Sequence, residues 1–231
     1  MLLKKPSEII MNFLRVNLSE IVRSGLSTRQ TLDTELFNGD ASNKEFTITR
    51  TDVLAIGEVT VGGVVQQPYV AYEIDLDNNK IVFGTAPAVG SNNVSIEYFY
   101  GDESWVFESD NSMSLVKSAY PFINVNAITE GGVPQAMGED QTFDTVTFQI
   151  DVMAFNGMEC TVEGETKTGI DVADYVGRKV LYQLLKNYRS QIGFKLFNPV
   201  KINFFPVPFN EGENNNRVVI EIRYDGFDVG D

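Results

Sequence analysis

Few residues in this chain have the type and spacing to do chemistry, and each candidate leads away from an enzyme. Asp75, Asp77 and Asn79 match the first half of a calcium loop. Such a loop needs glycine at its sixth position and a bidentate glutamate at its twelfth, where Lys80 and Ala86 stand here. The segment therefore reads as a hairpin turn. Cys160 is the one cysteine, so it has no disulfide partner and reads as a small buried hydrophobe. There is no histidine, which excludes Ser-His-Asp and Cys-His catalysis and every His-ligated metal. No Walker loop and no Gly-x-Gly-x-x-Gly is present, so nucleotide chemistry has no support. The 32 Asp and Glu residues would permit a glycosidase carboxylate pair, but their number alone predicts solvated surface. Asn93-Val94-Ser95 fits a glycosylation acceptor only in a secreted protein. The expectation is a protein that is not an enzyme, with no cofactor and no metal.

Charge narrows the partners. A formal net charge of −14 repels a phosphate backbone, and no Lys/Arg cluster is dense enough to reverse this locally. Self-repulsion must be overcome by apolar contacts or bound cations when copies associate, so any oligomer should be salt-sensitive. With 43% hydrophobic and 11% aromatic residues the chain has the make-up of a folded protein. Leu2-Leu3 is interrupted at once by Lys4-Lys5-Pro6, so no secretory signal is expected. No apolar run approaches the roughly 20 residues of a membrane span.

The elements that must position these residues fall into two kinds. Residues 7 to 24 predict a helix with Ser7 as N-cap and one stripe of Ile9, Ile10, Phe13, Leu14, Leu18, Ile21 and Val22, stopped by Gly25. Ser27 to Thr34 reads as a connector, with a boundary near Leu36. From Phe37 to Tyr100 short strands alternate with turns, as in a small all-β unit. Its clearest hairpin joins Glu58–Val61 to Val64–Gln67 through Gly62-Gly63, and Tyr69–Ile74 and Lys80–Phe83 flank another turn. Residues 37 to 103 hold ten carboxylates, with Glu108 just beyond, against Lys44, Arg50 and Lys80.

The second half predicts a different architecture. An apolar strand, Pro121 to Val125, precedes a long polar loop over residues 129 to 142. In the strand Thr145–Val152, Val146, Phe148, Ile150 and Val152 face one way while Thr145, Thr147, Gln149 and Asp151 face the other. A helix from about Asp171 to Ser190 gathers Val172, Val176, Val180, Leu181, Leu184, Leu185 and Tyr188 on one side and ends at Gly193. Strands at Val200–Phe204 and Val218–Tyr224 close the chain. A helix over one face of an antiparallel sheet is an α+β fold.

This order, with Pro121, Phe122, Ile123, Val125 and residues 145 to 152 as the matching positions, resembles the tail terminator proteins of long-tailed bacterial and archaeal viruses. The resemblance covers the first helix and about the last half of the chain. Residues 37 to 103 resemble, more loosely, a β module of viral structural proteins, through Phe37-Asn38-Gly39-Asp40, Val61-Gly62-Gly63, Ile81-Val82-Phe83, Ala86-Pro87 and Gly90. The resemblance implies an α+β core of residues 1–36 and 104–231 with an inserted β domain, 37–103. Because its strands alternate independently and polar connectors bound it on both sides, that domain is expected to be dispensable for folding of the core.

It further implies a homo-oligomeric ring, usually a hexamer, that caps the tail tube protein and meets a neck or head-tail connector protein. DNA would pass through without specific binding, no membrane would be involved, and the protein would reside in the virion after assembly in host cytoplasm. The loop residues Glu130, Gly131, Gly132, Met137, Gly138, Glu139 and Asp140 would line the channel or dock to the tube. Two other readings stay open. One is a different head-tail connector or a tail tube component; the other is a carbohydrate-binding adhesion protein using Tyr69, Tyr72 and Tyr98.

Overall fold

The computed structural model describes residues 6–18, 30–101, 105–108, 121–134, 142–162, 164–186, 199–207 and 215–225. The described residues form a mixed α+β fold of two helices and mostly antiparallel sheets.

The first helix, α1, spans Pro6–Asn17, and Leu18 N–H closes its last turn on the Leu14 carbonyl at 2.9 Å. Pro6 suits a first helical position, where a missing N–H costs nothing. Ser7 is therefore inside the helix and is not its N-cap; its hydroxyl donates to Glu108 Oε1 at 2.7 Å. Ile21, Val22 and Gly25 lie outside the described residues. Instead of one stripe, all of Ile9 to Leu14 is buried. A helix apolar nearly all round is a helix inside the molecule.

Residues 31 to 100 form two sheets. Strands β1 (Thr31–Gly39), β3 (Val53–Val61), β4 (Val64–Val65) and β7 (Gly90–Tyr100) pair in the order β1-β7-β3-β4. Strands β2 (Glu45–Thr47), β5 (Tyr72–Asp75) and β6 (Lys80–Phe83) pair as β2-β6-β5. Phe37, Phe46 and Phe83 meet edge to face at 5.6 Å between the sheets, with Ile56, Val59, Val94 and Ile96 in the same core. Gly62 and Gly63 take φ of 57° and 78°, the left-handed pair that a two-residue hairpin requires. The predicted connector over Ser27 to Thr34 is overturned at its end, because Thr31 to Thr34 already belong to β1 and pair with Tyr100 to Glu97. Alternation with β7 supplies the reason: Leu32, Leu36 and Phe37 sit in a strand otherwise polar enough to pass for linker.

A five-stranded sheet organises the rest. Its order is β13 (Pro199–Val207), β14 (Asn215–Asp225), β10 (Thr142–Phe155), β9 (Phe122–Pro134) and β8 (Val106–Glu108), with only β8 parallel to its neighbour. Val146, Phe148, Ile150 and Val152 pair with Tyr224, Ile222, Ile220 and Val218, so the alternation predicted for β10 builds a continuous apolar face. A short hairpin, β11 (Glu159–Val162) and β12 (Glu165–Thr168), leads into α2 (Gly169–Lys186). Val172, Val176, Val180 and Leu184, at four-residue spacing, are buried against β10 and β14. Each contributes roughly 1.5–3 kcal/mol by leaving water. The stripe is narrower than predicted: Leu185 is exposed and Leu181 half-buried, while Tyr188 and Gly193 lie outside the described residues.

Among the described residues the strands of 31–100 and those of 106–225 share no ladder, yet α1 joins them. It packs on β3, on β8 and β9, and touches α2. Asn12 Nδ2 donates to the Ile56 carbonyl at 3.2 Å and Asn12 Oδ1 accepts from Ile56 N–H at 2.9 Å. The amide thus stands in for a missing strand beside a bulge in β3, between Ile56 and Val59. Arg15 Nη1 donates to the Leu54 carbonyl at 2.6 Å, while Nε and Nη2 donate to the Val106 carbonyl at 3.2 and 2.6 Å. One guanidinium therefore bridges β3 and β8. Burial pushes it down to about 10, and among the described residues no carboxylate pairs with it.

Removing these side chains strands buried backbone groups. We expect Asn12→Leu to lose about 2–4 kcal/mol, the cost of leaving the buried Ile56 N–H and C=O without their partner, and Arg15→Met to lose about 1.5–3 kcal/mol through its charged hydrogen bonds to Leu54 and Val106. Urea unfolding followed by both tyrosine fluorescence and circular dichroism should show the loss. It should also show the two probes separating in Arg15→Met. Unchanged midpoints would remove α1 from its joining role.

Candidate functional site

The chemical candidates resolve into structure. Asp75 is buried, with its carboxylate accepting from Asn78 N–H at 3.3 Å and Asn78 Nδ2 at 2.9 Å, and Lys80 Nζ lies 3.9 Å away. This closes the β5–β6 turn, with Asn79 at φ 50°. Among the described residues no group of three or more acidic, Cys or His side chains is arranged to hold a metal ion. Cys160 is buried in β11, where burial pushes its thiol up and the Lys167 charge only partly opposes this. It is a packing residue, as its isolation in the sequence predicts.

Tyr69, Tyr72 and Tyr98, proposed from the sequence as exposed glycan platforms, are 7%, 2% and 3% exposed. Tyr72 in β5 and Tyr98 in β7 sit at inward positions of their strands, and Tyr69, in the turn before β5 at φ 63°, is buried too, so none offers an exposed ring. The Tyr98 hydroxyl donates to Asp33 at 3.4 Å, and burial, then nearby carboxylates, pushes its ionisation up to about 12.

The predicted loop over 129 to 142 is the largest correction. β9 runs on to Pro134 and β10 starts at Thr142, with Pro134 opposite Thr142, so a long hairpin replaces most of the loop. Glu130, Gly131 and Gly132 are strand residues opposite Val146, Thr145 and Asp144. Met137, Gly138, Glu139 and Asp140 lie outside the described residues. The glycine pair reads as a turn locally, but a strand tolerates glycine where its partner supplies the ladder. The signal available was the β-branched run on both sides, Ile128-Thr129 and Thr145-Val146-Thr147.

The hairpin has two parts. A bulge at Ile128, between the pairs Thr147–Thr129 and Phe148–Ala127, bends the strand and turns Ile128 out to solvent at 48% exposure. Below it β9 is flanked by β8, which reaches only Ile123 to Val125. From Asn126 to Pro134 no described residue pairs with the outer side of β9, an open edge of roughly 30 Å at 3.3 Å per residue. At the opposite end of the sheet the outer side of β13 is likewise unpaired among the described residues. Pro199 and Pro206 lack N–H donors near both ends of β13, leaving the middle of that edge to accept a neighbour.

A polar cluster sits on the sheet face turned from the helices. Asp151, 4% exposed, accepts from Gln149 Nε2 at 3.0 and 2.9 Å and from Arg217 Nη2 at 2.9 Å. The sequence placed Asp151 on the outer face and gave no sign of its burial. An Asp with both oxygens occupied by Gln and Arg holds strands β10 and β14 together and offers no free acid or base.

Neither a protein-family model, nor a curated protein, nor a solved structure matches the chain.

Because the Cys160 thiol is buried and its ionisation raised, we expect alkylation by iodoacetamide at pH 8 to be at least about tenfold slower than for an exposed thiol of ordinary acidity near 8.5. Urea should restore the ordinary rate. Fast labelling of the native chain would place β11–β12 outside the core.

Proposed function

We propose that this protein is a virion structural protein, a ring-forming tail terminator that caps the tail tube and joins it to the neck. The observation that carries the reading is the five-stranded sheet whose β9 and β13 edges are unpaired among the described residues, with a long β9–β10 hairpin and α2 packed on β10 and β14, in the element order that resembles that family. An edge on β13 and an edge on β9 are different surfaces of one subunit. Their mutual pairing is heterologous, and a heterologous contact closes into a ring when its rotation divides a full turn.

Other observations agree. No helix among the described residues is long and apolar enough to cross a membrane. A net charge of −14 suits the wall of a DNA conduit, which must repel phosphate and not trap it, and suits plain solubility equally. The hairpin, with Glu130 in its strand and Glu139 and Asp140 beyond, is the part assigned to the channel or tube. The tail tube and a neck protein are the proposed partners. The β module would be a decoration on the core, though with a shared seam: removing 37–103 splits β1 and takes away the Ile56 and Leu54 groups that Asn12 and Arg15 hold.

A different head-tail connector or tube component would use the same edges at another position in the virion. An adhesion role loses the aromatic surface on which it depended, and the buried, satisfied Asp151 gives an enzyme no acid or base.

Light scattering across concentration should reveal one closed oligomer of fixed size. Assembly should strengthen when salt is raised from about 10 to 150 mM, because the Debye length falls from about 30 to 8 Å and subunit repulsion with it. Replacing residues 135–141 by Asn-Gly should leave melting unchanged and impair attachment to tails. A strict monomer in the presence of tube, or full attachment by the shortened hairpin, would contradict the assignment.

A further inference from the structure

A cavity of about 410 Å³ opens between α1 and the β3–β4 hairpin, away from the sheet edges discussed above. Its apolar wall includes Ile9, Phe13 and Val65, and its polar groups include Glu58 and Glu97. Among the described residues neither carboxylate has a hydrogen-bond or ion-pair partner, and no lysine or arginine lines the space. Glu58, exposed, and Glu97, half-buried, thus line one cavity with no cation beside them among the described residues.

Two independent features show that the space is shaped for these groups. Gly57 lies in the wall beneath Glu97: a Cβ there would stand 2.9 Å from Glu97 Oε1, so the missing side chain is what lets the carboxylate lie against the strand. Tyr72, only 2% exposed, also lines the cavity, and its phenol has no hydrogen-bond partner among the described residues. Its ionisation is pushed up by burial first and by the Glu58 charge second, which sets the phenol within electrostatic reach of that carboxylate. The phenol oxygen is not sealed from the cavity, and an incoming N–H donor would give it a partner.

Cation, stem and acceptors together define the ligand. We infer that this cavity binds an aliphatic ammonium, with Glu58 and Glu97 receiving the charged N–H donors and the Phe13 and Ile9 wall covering the methylene stem. An ammonium carries three donors and no acceptor, which matches two carboxylates and a phenol oxygen. A guanidinium is planar and wider, and a bare metal ion would leave the apolar wall empty. The ammonium can come from a free diamine or from a lysine side chain of another protein, since the end that binds is the same. This site stands apart from the ring reading and does not need it.

Calorimetric titration of the full chain at pH 7 and low salt tests the inference with 1,4-diaminobutane, n-butylamine, the lysine analogue Nα-acetyl-lysine methylamide, and uncharged n-butanol. The amines should bind at least tenfold tighter than butanol, an effect that weakens as salt rises. Glu58→Gln/Glu97→Gln should abolish that margin while melting at the wild-type temperature. Gly57→Ala, which keeps both charges but displaces the Glu97 carboxylate, should weaken amine binding severalfold. Tighter binding of the diamine than of the lysine analogue assigns the site to a free diamine, and the reverse assigns it to a lysine side chain. Amines no tighter than butanol, or a double Gln variant that binds as well as wild type, would overturn the inference.

Discussion

The buried guanidinium of Arg15 is the constraint on which the arrangement depends. It donates to Leu54 on one sheet and to Val106 on another, with no charged partner among the described residues. A cation so placed is held only by carbonyl dipoles, so its desolvation is offset only while both strands stay in position. Asn12, one turn earlier on the same helix, reads the N–H and C=O of Ile56 in the way a neighbouring strand would. Two adjacent turns of α1 thus stand in for a ladder that the two sets of strands do not share among the described residues. Where Ser7 meets Glu108 and Gln30 Nε2 meets the Arg15 carbonyl at 2.9 Å, the same helix fixes the chain on both sides of the seam.

That constraint explains what was and was not legible in the sequence. Periodicity located α2, β10 and β14 because each buries one face, and Gly62-Gly63 marked its hairpin because only positive φ fits there. The reach of β9 was obscured because Gly131 and Gly132 speak for a turn locally, against the β-branched residues on either side, while their partners Thr145 and Asp144 lie beyond the loop. The role of α1 was half visible. Met11 and Val16 extend its apolar surface beyond a single stripe, which marks a helix covered on several sides. Nothing local, however, says that Asn12 and Arg15 would be spent on backbone groups some 40 and 90 residues away along the chain. The same limit hid the burial of Asp151, whose partner Arg217 is set by strand register alone.

By fixing the β module to β8, α1 also covers one end of the five-stranded sheet only in part. β8 is three residues long, so among the described residues β9 beyond Val125 keeps a bare edge, and β13 keeps another at the far side. Native sheets blunt such edges with charge, proline or bulges. Here there are prolines near the ends of β13 and a bulge at Ile128, with a stretch between the prolines and one beyond the bulge left open. Edges shielded at chosen points but not throughout are what a protein that pairs with its own copies needs, since register is then set as well as contact.

A cryo-electron microscopy map of the assembled protein tests this account most directly, through the distance between β13 of one subunit and β9 of the next. The account predicts a continuous sheet around the ring, with neighbouring strands about 4.8 Å apart at every junction. A ring, or any other assembly, in which both edges face solvent would contradict it.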